Sequence, residues 1–217
     1  MIQSGIIDSY MDIKKIANLL IDFTTRRLAE ISGLVLIFFG LALFVALFTY
    51  SPEDPNFIFP DNTKIKNFFG FKGSFISDLF FQSVGLIAYV ISLTFIITGI
   101  NLFRNKKFIL IIENTFFTVL YCIFGTLFLT HYYPDLYTLY INGTGGFVGN
   151  FFNQTYLNQI LLLNNQISYY FLIILFLLLF LKSINFNPLK FYELTLKSFN
   201  LIKKQKEKNY TDKTEII

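Results

Sequence analysis

Few side chains in this sequence could do chemistry, and each has a plainer use to set beside the chemical one. Glu113 is the one carboxylate inside an apolar run that could cross a bilayer. Carboxylates at that depth serve as proton relays or ion ligands. Glu113 lies about a turn and a half from Lys106 and Lys107, however, so it reads first as a group that snorkels to the headgroups or pairs with a lysine. His131 is the single histidine. It sits beside Tyr132 and Tyr133 at the end of an apolar run, with no His, Cys or carboxylate at ligand spacing, and no metal site is expected there. Cys122, the lone cysteine, excludes an intrachain disulfide and a cysteine-based metal site, and reads as a small buried hydrophobe.

The glycine-rich stretches fail as nucleotide loops. Gly143-Thr144-Gly145-Gly146 follows no strand and belongs to no βαβ unit, and the stretch from Gly70 to Ser74 lacks an adjacent Gly-Lys-Ser/Thr. With no Walker motif and no nucleophile-and-base arrangement, neither a catalytic residue nor a cofactor is expected, and the chain reads as no enzyme. Asn142-Gly143-Thr144 and Asn153-Gln154-Thr155 match the glycosylation pattern, which a chain rich in Asn and Thr produces by chance. Lysines after residue 182 would touch nucleic-acid phosphates only weakly and salt-dependently. They come with no stacking face, so no direct specific nucleic-acid binding is expected, and the bilayer surface is the better partner.

What must position these residues is a set of membrane helices. Of 217 residues, 54% are hydrophobic and 15% charged, and the mean hydropathy of +0.55 is too high for an ordinary soluble domain. With 29 Phe and no Trp, interfacial anchoring falls to the 13 Tyr. Residues 31–50 carry no charge, and a helix of that length spans roughly 30 Å of hydrocarbon. The run breaks at Tyr50-Ser51-Pro52-Glu53-Asp54-Pro55. Two prolines oppose helix, and two carboxylates would cost about 2.5–3.5 kcal/mol each at bilayer depth, so the chain emerges into water there. Further spans are expected near residues 84–103, 108–130 and 167–181, the last lengthened by Leu161 to Leu163 or by residues 182–186.

Lysine and arginine number four in residues 1–30, three in 51–80, three in 104–107, none in 131–166 and eight from 182 onward. The positive-inside rule assigns the first, third and last groups to the cytoplasm, which puts both termini there and agrees with an even number of spans. The expected organisation is a cytoplasmic amphipathic segment over 1–30, a four-helix membrane domain over 31–184, and a basic juxtamembrane segment over 185–217 that begins a linker. The fold class is therefore all-α: an integral membrane protein with four transmembrane helices in two hairpins and short interfacial amphipathic helices. Gly70-Phe71-Lys72-Gly73 and Gly146-Phe147-Val148-Gly149 recur 76 residues apart, each before an aromatic stretch. They read either as an internal duplication of a hairpin or as glycine turns that recur wherever helices enter a membrane. On the outer side Glu53 and Asp54 are expected to meet solvent, with Asp54 capping or turning the chain before serving as a contact.

Arg27-Leu28, Glu30, the stretch ending in Pro52-Glu53-Asp54-Pro55, then Asn67-Phe68-Phe69-Gly70 and Gly73 resemble the N-terminal four-transmembrane region of FtsK-type DNA translocases. The likeness extends to Asp78, Phe81, Gly85 and Ala88-Tyr89, and to Gly145-Gly146 with Gly149. It covers about residues 27–182, and the third and fourth helices depart from it in an Asn-rich segment at Asn158, Asn164 and Asn165. The resemblance implies a multi-pass protein of the bacterial inner membrane. It would act in cell division and chromosome segregation, gather with division-machinery membrane proteins, form a homo-oligomer in its full-length context, and tether a cytoplasmic ATPase that pumps DNA. The motor is not in this sequence, so the chain is expected to be a fragment or a natural truncation keeping the anchor. The rival reading is a small transporter or channel subunit, in which Glu113, Asn114 and Asn101 would meet in a water-filled cavity.

Overall fold

The structure, a computed structural model, describes residues 2–55, 64–136, 142–189, 191–193, 195–197 and 199–200, with side chains from Lys15 onward. It is built of helices: α1 (Ile2–Phe48), α2 (Gly70–Val84), α3 (Ile87–Asn105), α4 (Ile109–Tyr132), α5 (Gly146–Asn153), α6 (Tyr156–Leu163) and α7 (Asn165–Ser183). Four are long and apolar enough to cross a membrane: α1 between Lys15 and Phe48, then α3, α4 and α7. The short α2, α5 and α6 complete the all-helical architecture that the sequence predicts. Residues up to Asn185 form one compact unit and those from Phe186 another. In the second unit the described residues between 188 and 200 are helical. Lys203 to Lys208 lie outside the described residues.

Helix α1 is 47 residues long, about 70 Å at 1.5 Å per residue, against roughly 30 Å of hydrocarbon. It runs unbroken through residue 30, where good helix formers are joined by an Arg27–Glu30 pair at 2.6 Å. The spans pair as hairpins, α1 with α3 and α4 with α7. In the first hairpin the backbones touch. A Cβ on Gly33 would lie 2.8 Å from the Gly99 carbonyl oxygen, and one on Gly40 would lie 2.9 Å from that of Ser92. Buried Ala29, Gly33, Gly40, Leu43 and Leu47 on α1 repeat at spacings of three, four and seven against Ala88, Ser92, Gly99 and Leu102 on α3. This is the seam small residues make where lipid supplies no hydrophobic drive and close van der Waals packing must hold helices together. Lys106 closes α3 in the left-handed region, φ 57°, its N–H donating to the Leu102 carbonyl at 2.8 Å.

The second hairpin is packed by rings. Tyr121 is fully buried, with Phe176 and Phe180 edge-on at 5.9 Å each. Cys122 is half-buried beside that cluster. The predicted lengthening of the fourth span by Leu161 to Leu163 does not occur, because those residues end α6. Asn164 stops α6 in an extended conformation and then caps α7, its Oδ1 accepting from the Ile167 N–H at 3.1 Å.

Polar contacts fasten the hairpins to each other. Thr94 and Tyr121 hydroxyls meet at 2.8 Å, the Asn114 amide donates to Thr98 Oγ1 at 2.9 Å, and the Asn101 amide donates to the Ile184 carbonyl at 2.8 Å. Asn185 donates to Asn114 Oδ1. The convergence that a transporter would need is thus closed into side-chain bonds: Asn114 and Asn101 staple the end of α7, and Glu113 is exposed. Lys106 turns to Glu30 at 2.5 Å, not to Glu113 as its spacing suggested.

Candidate functional site

Apart from Arg27, Leu28 and Glu30, the residues quoted for the resemblance gather at the end of the bundle where α1 stops. Past Tyr50 the chain turns through Pro52, and the Asp54 N–H bonds the Ser51 carbonyl at 3.1 Å. The expectation that Asp54 meets solvent is corrected here, since it is 1% exposed. Its Oδ1 accepts the Lys66 N–H and its Oδ2 the Asn67 N–H, both at 2.8 Å. Two backbone donors on one buried carboxylate are charge-assisted bonds, the strong kind. They clamp the far end of a loop to its beginning. Only Glu53 stays exposed, paired with Lys66 at 2.5 Å. That bond holds the Glu53 carboxyl below its usual range and the Lys66 ammonium above its own.

Asn67 works in two directions. Its amide donates to the Ala46 carbonyl at 2.9 Å, satisfying one of the acceptors left over at the end of α1, and its Oδ1 accepts from the Phe69 N–H at 3.1 Å. Thr49 Oγ1 takes the Phe68 N–H at 3.1 Å. Gly70 opens α2 at φ +63°, and Gly73 is packed so closely that a Cβ would come 2.7 Å from the Phe69 Cβ. The hydroxyl of Ser74 reaches the buried Pro55 carbonyl at 3.1 Å, and the Tyr50 hydroxyl donates to Asp78 Oδ1 at 2.9 Å. Asp54, Pro55, Asn67, Gly70 and Asp78 are therefore tied by hydrogen bonds into one knot, with Gly73 packed against Asn67 and Phe69.

A second contact joins this knot to the other hairpin. Gly85 ends α2 at φ +57° and Gly146 begins α5 at φ +67°. A Cβ on Gly146 would fall 2.6 Å from the Gly85 nitrogen, and one on Gly85 would fall 2.6 Å from the Thr144 carbonyl carbon. The Leu86 N–H donates to the Thr144 carbonyl at 3.1 Å. Gly145 and Gly149 pack on α4, where a Cβ on Gly149 would sit 2.6 Å from the Thr126 carbonyl oxygen. Glu30 stands apart within α1, beside the C-terminal end of α3, held by Arg27 and Lys106. Thr49, Ser74 and Thr144 belong to the site although sequence reasoning did not single them out for it, and Tyr50 entered it only as the start of the break. A hydroxyl two or three residues before the Pro-Glu-Asp-Pro break was the one signal for Thr49 and Tyr50, and Thr144 acts through a carbonyl that no side chain advertises.

The site offers rigidity and shape. Asp54 and Asn67 are spent on the protein's own backbone, Asp78 on the Tyr50 hydroxyl and Glu53 on the Lys66 ammonium, and among the described residues no three His, Cys, Asp or Glu side chains cluster to hold a metal.

Two self-packed helical hairpins, four spanning helices and a locked turn at one end define a multi-pass α-helical membrane domain. Residues 25–196 match the family described as the 4TM region of DNA translocase FtsK/SpoIIIE, and the chain belongs to that family. It is 30% identical over 176 residues to the DNA translocase FtsK of Rickettsia bellii, covering 79% of this chain and 22% of that protein. To the DNA translocase FtsK of Azospirillum brasilense it is 29% identical over 118 residues, 54% of this chain and 18% of that protein. The Rickettsia typhi DNA translocase FtsK is 26% identical over 134 residues, 62% of this chain and 18% of that protein. The chain thus spans about a fifth of the length of these relatives and matches their membrane region, not a motor. No solved structure matches it.

Proposed function

We propose that this chain is the membrane anchor and division-site assembly module of an FtsK-type DNA translocase, without catalytic activity of its own. Both termini lie in the cytoplasm, the membrane is the bacterial inner membrane, and the knot around Asp54 faces outward. What supports this reading is the coincidence of the family match, residues 25–196, with the four-span unit, together with the turn that Asp54 ties. A rigid outer turn suits docking to other division-machinery membrane proteins and, in the full-length context, to further copies of the chain.

Orientation is tested by fusing a reporter active only outside the cytoplasm at residue 60 and, separately, at residue 217. Activity at 60 and silence at 217 is expected, and activity at 217 overturns the orientation. Assembly is tested by imaging a fluorescent fusion of residues 1–217 in dividing cells. A septal band that disperses on Asp54→Ala is expected, and uniform membrane fluorescence of the unaltered chain refutes the division-site role.

A further inference from the structure

At the same end of the bundle, α1 and α2 leave between them a groove of about 260 Å³. Leu43 and Ala46 floor it, Phe39, Ala42 and Ile76 wall it, and Lys72 stands at its mouth. Ala42 and Phe39 belong to the exposed face of a membrane-spanning helix, so the groove opens toward lipid. Lys72 is exposed and has no ion pair among the described residues, unlike its loop neighbour Lys66. Phe71 on the same short helix is also exposed and stacks on Phe75 at 6.4 Å, which places an aromatic pair beside the lysine.

We propose that this groove binds one acyl chain of an anionic phospholipid, with the Lys72 ammonium on the phosphate. Charge and setting decide between occupants: the lining is apolar apart from Lys72, and its α1 wall belongs to the exposed face of a membrane-spanning helix. An alkyl segment fits, and an apolar groove with a single cation at headgroup level is complementary to an acidic amphiphile. The repeated turn in the second hairpin provides contrast: Val148 stands where Lys72 does, so only the first hairpin is charged for this task. The assignment rests on the helices spanning a bilayer. The leaflet follows from the orientation proposed above, and the binding itself does not depend on it.

Native mass spectrometry of the 217-residue chain in detergent micelles tests the site, with dioleoylphosphatidylglycerol or dioleoylphosphatidylcholine titrated in. Phosphatidylglycerol is expected to bind about fivefold more tightly, the worth of one lysine near an anionic headgroup. Lys72→Gln abolishes the preference, Lys72→Arg keeps it, and Ala42→Phe, which fills the groove, weakens both lipids. Inorganic phosphate at equal concentration does not compete, because the acyl chain supplies the hold. Equal binding of the two lipids to the unaltered chain overturns the proposal. So does a preference that survives Lys72→Gln, or displacement of lipid by free phosphate. Septal imaging reads the anchor role separately, so loss of the lipid preference leaves that reading standing.

Discussion

Asp54 shows what a single side chain decides in this protein. A carboxylate beside two prolines announces a turn, and that much was legible, because Pro52 and Pro55 cannot continue a helix. Which way the carboxylate faces was not legible: its partners are backbone N–H groups 12 and 13 residues further on, and no pattern of side chains encodes them. Asp54→Ala leaves two donors without their acceptor, at a cost of about 1–3 kcal/mol. A lower thermal midpoint in detergent is expected, with Asp54→Asn intermediate because its amide keeps one acceptor and turns a donor toward a donor. Exposed Glu53 behaves differently. Its folded pKa is depressed, chiefly by the hydrogen bond from Lys66. The contribution is therefore present above the ordinary glutamate pKa of about 4.3 and lost as pH falls through the lower folded value. On the alkaline side, the raised Lys66 keeps its contribution until pH climbs through the elevated lysine pKa. Because both groups are solvent-exposed, salt screens the pair. A chemical-shift titration of Glu53 should show an acidic midpoint that moves up in Lys66→Met and in high salt.

Among the elements, span existence was written plainly in hydropathy, and α3, α4 and α7 fall within three residues of where the apolar runs put them. Helix pairing was not. Gly33, Gly40 and Gly99 are unremarkable in an apolar run, and only the crossing of α1 and α3 shows that each sits where another backbone passes. Gly99→Leu is expected to force the hairpin apart, with a Cβ 2.6 Å from the Gly33 carbonyl oxygen. The loss would exceed that from Gly70→Leu, which meets nothing within 4 Å and suffers mainly the left-handed strain of about 1–2 kcal/mol. Disulfide trapping between cysteines placed on α1 and α3 measures both. The break between α6 and α7 was missed because Leu161 to Leu163 continue the apolar run of the fourth span. Asn164 was the signal, a cap residue set between two leucine-rich stretches. The repeated turn was legible and is repeated in detail. Gly70 and Gly146 share their positive φ, each accepts the same three-residue turn, with N–H bonds to the Asn67 and Gly143 carbonyls. The rings of Phe71 and Phe75 stack at 6.4 Å and 27°, those of Phe147 and Phe151 at 6.3 Å and 26°. The second turn is followed by α6 before its returning span, the first is not.

At the scale of the whole membrane unit, each hairpin holds itself by packing, and the two are joined by the apolar contact of Ile87 and Ile91 with Tyr121, a few polar bonds and the Gly85–Gly146 contact. Hydropathy cannot reveal such fastening, since Thr94, Thr98, Asn101, Asn114 and Tyr121 only lower the apolarity of their spans slightly. The Thr94 to Tyr121 bond is expected to show a coupling of about 0.6 kcal/mol, at most about 1.7, in a double-mutant cycle of Thr94→Val with Tyr121→Phe measured by unfolding in mixed micelles. A coupling near zero would assign the cohesion to ring packing alone. Gly85→Ala should be the more damaging change, because it adds a methyl where the Thr144 carbonyl passes and strains a left-handed turn at once.

That crossing of Gly85 and Gly146 also sets a schedule for biogenesis. The ribosome delivers the first hairpin complete, able to close along its glycine seam while the rest is still being made. From the synthesis of Gly85, the surface that will receive Gly146 stands open until about sixty more residues have been added. At ~5–20 residues per second that is an interval of about 3–12 s, during which the Leu86 N–H waits for the Thr144 carbonyl that will accept it. Whatever shields that nascent edge, whether translocon wall or lipid headgroup, must let go before the second hairpin can seat.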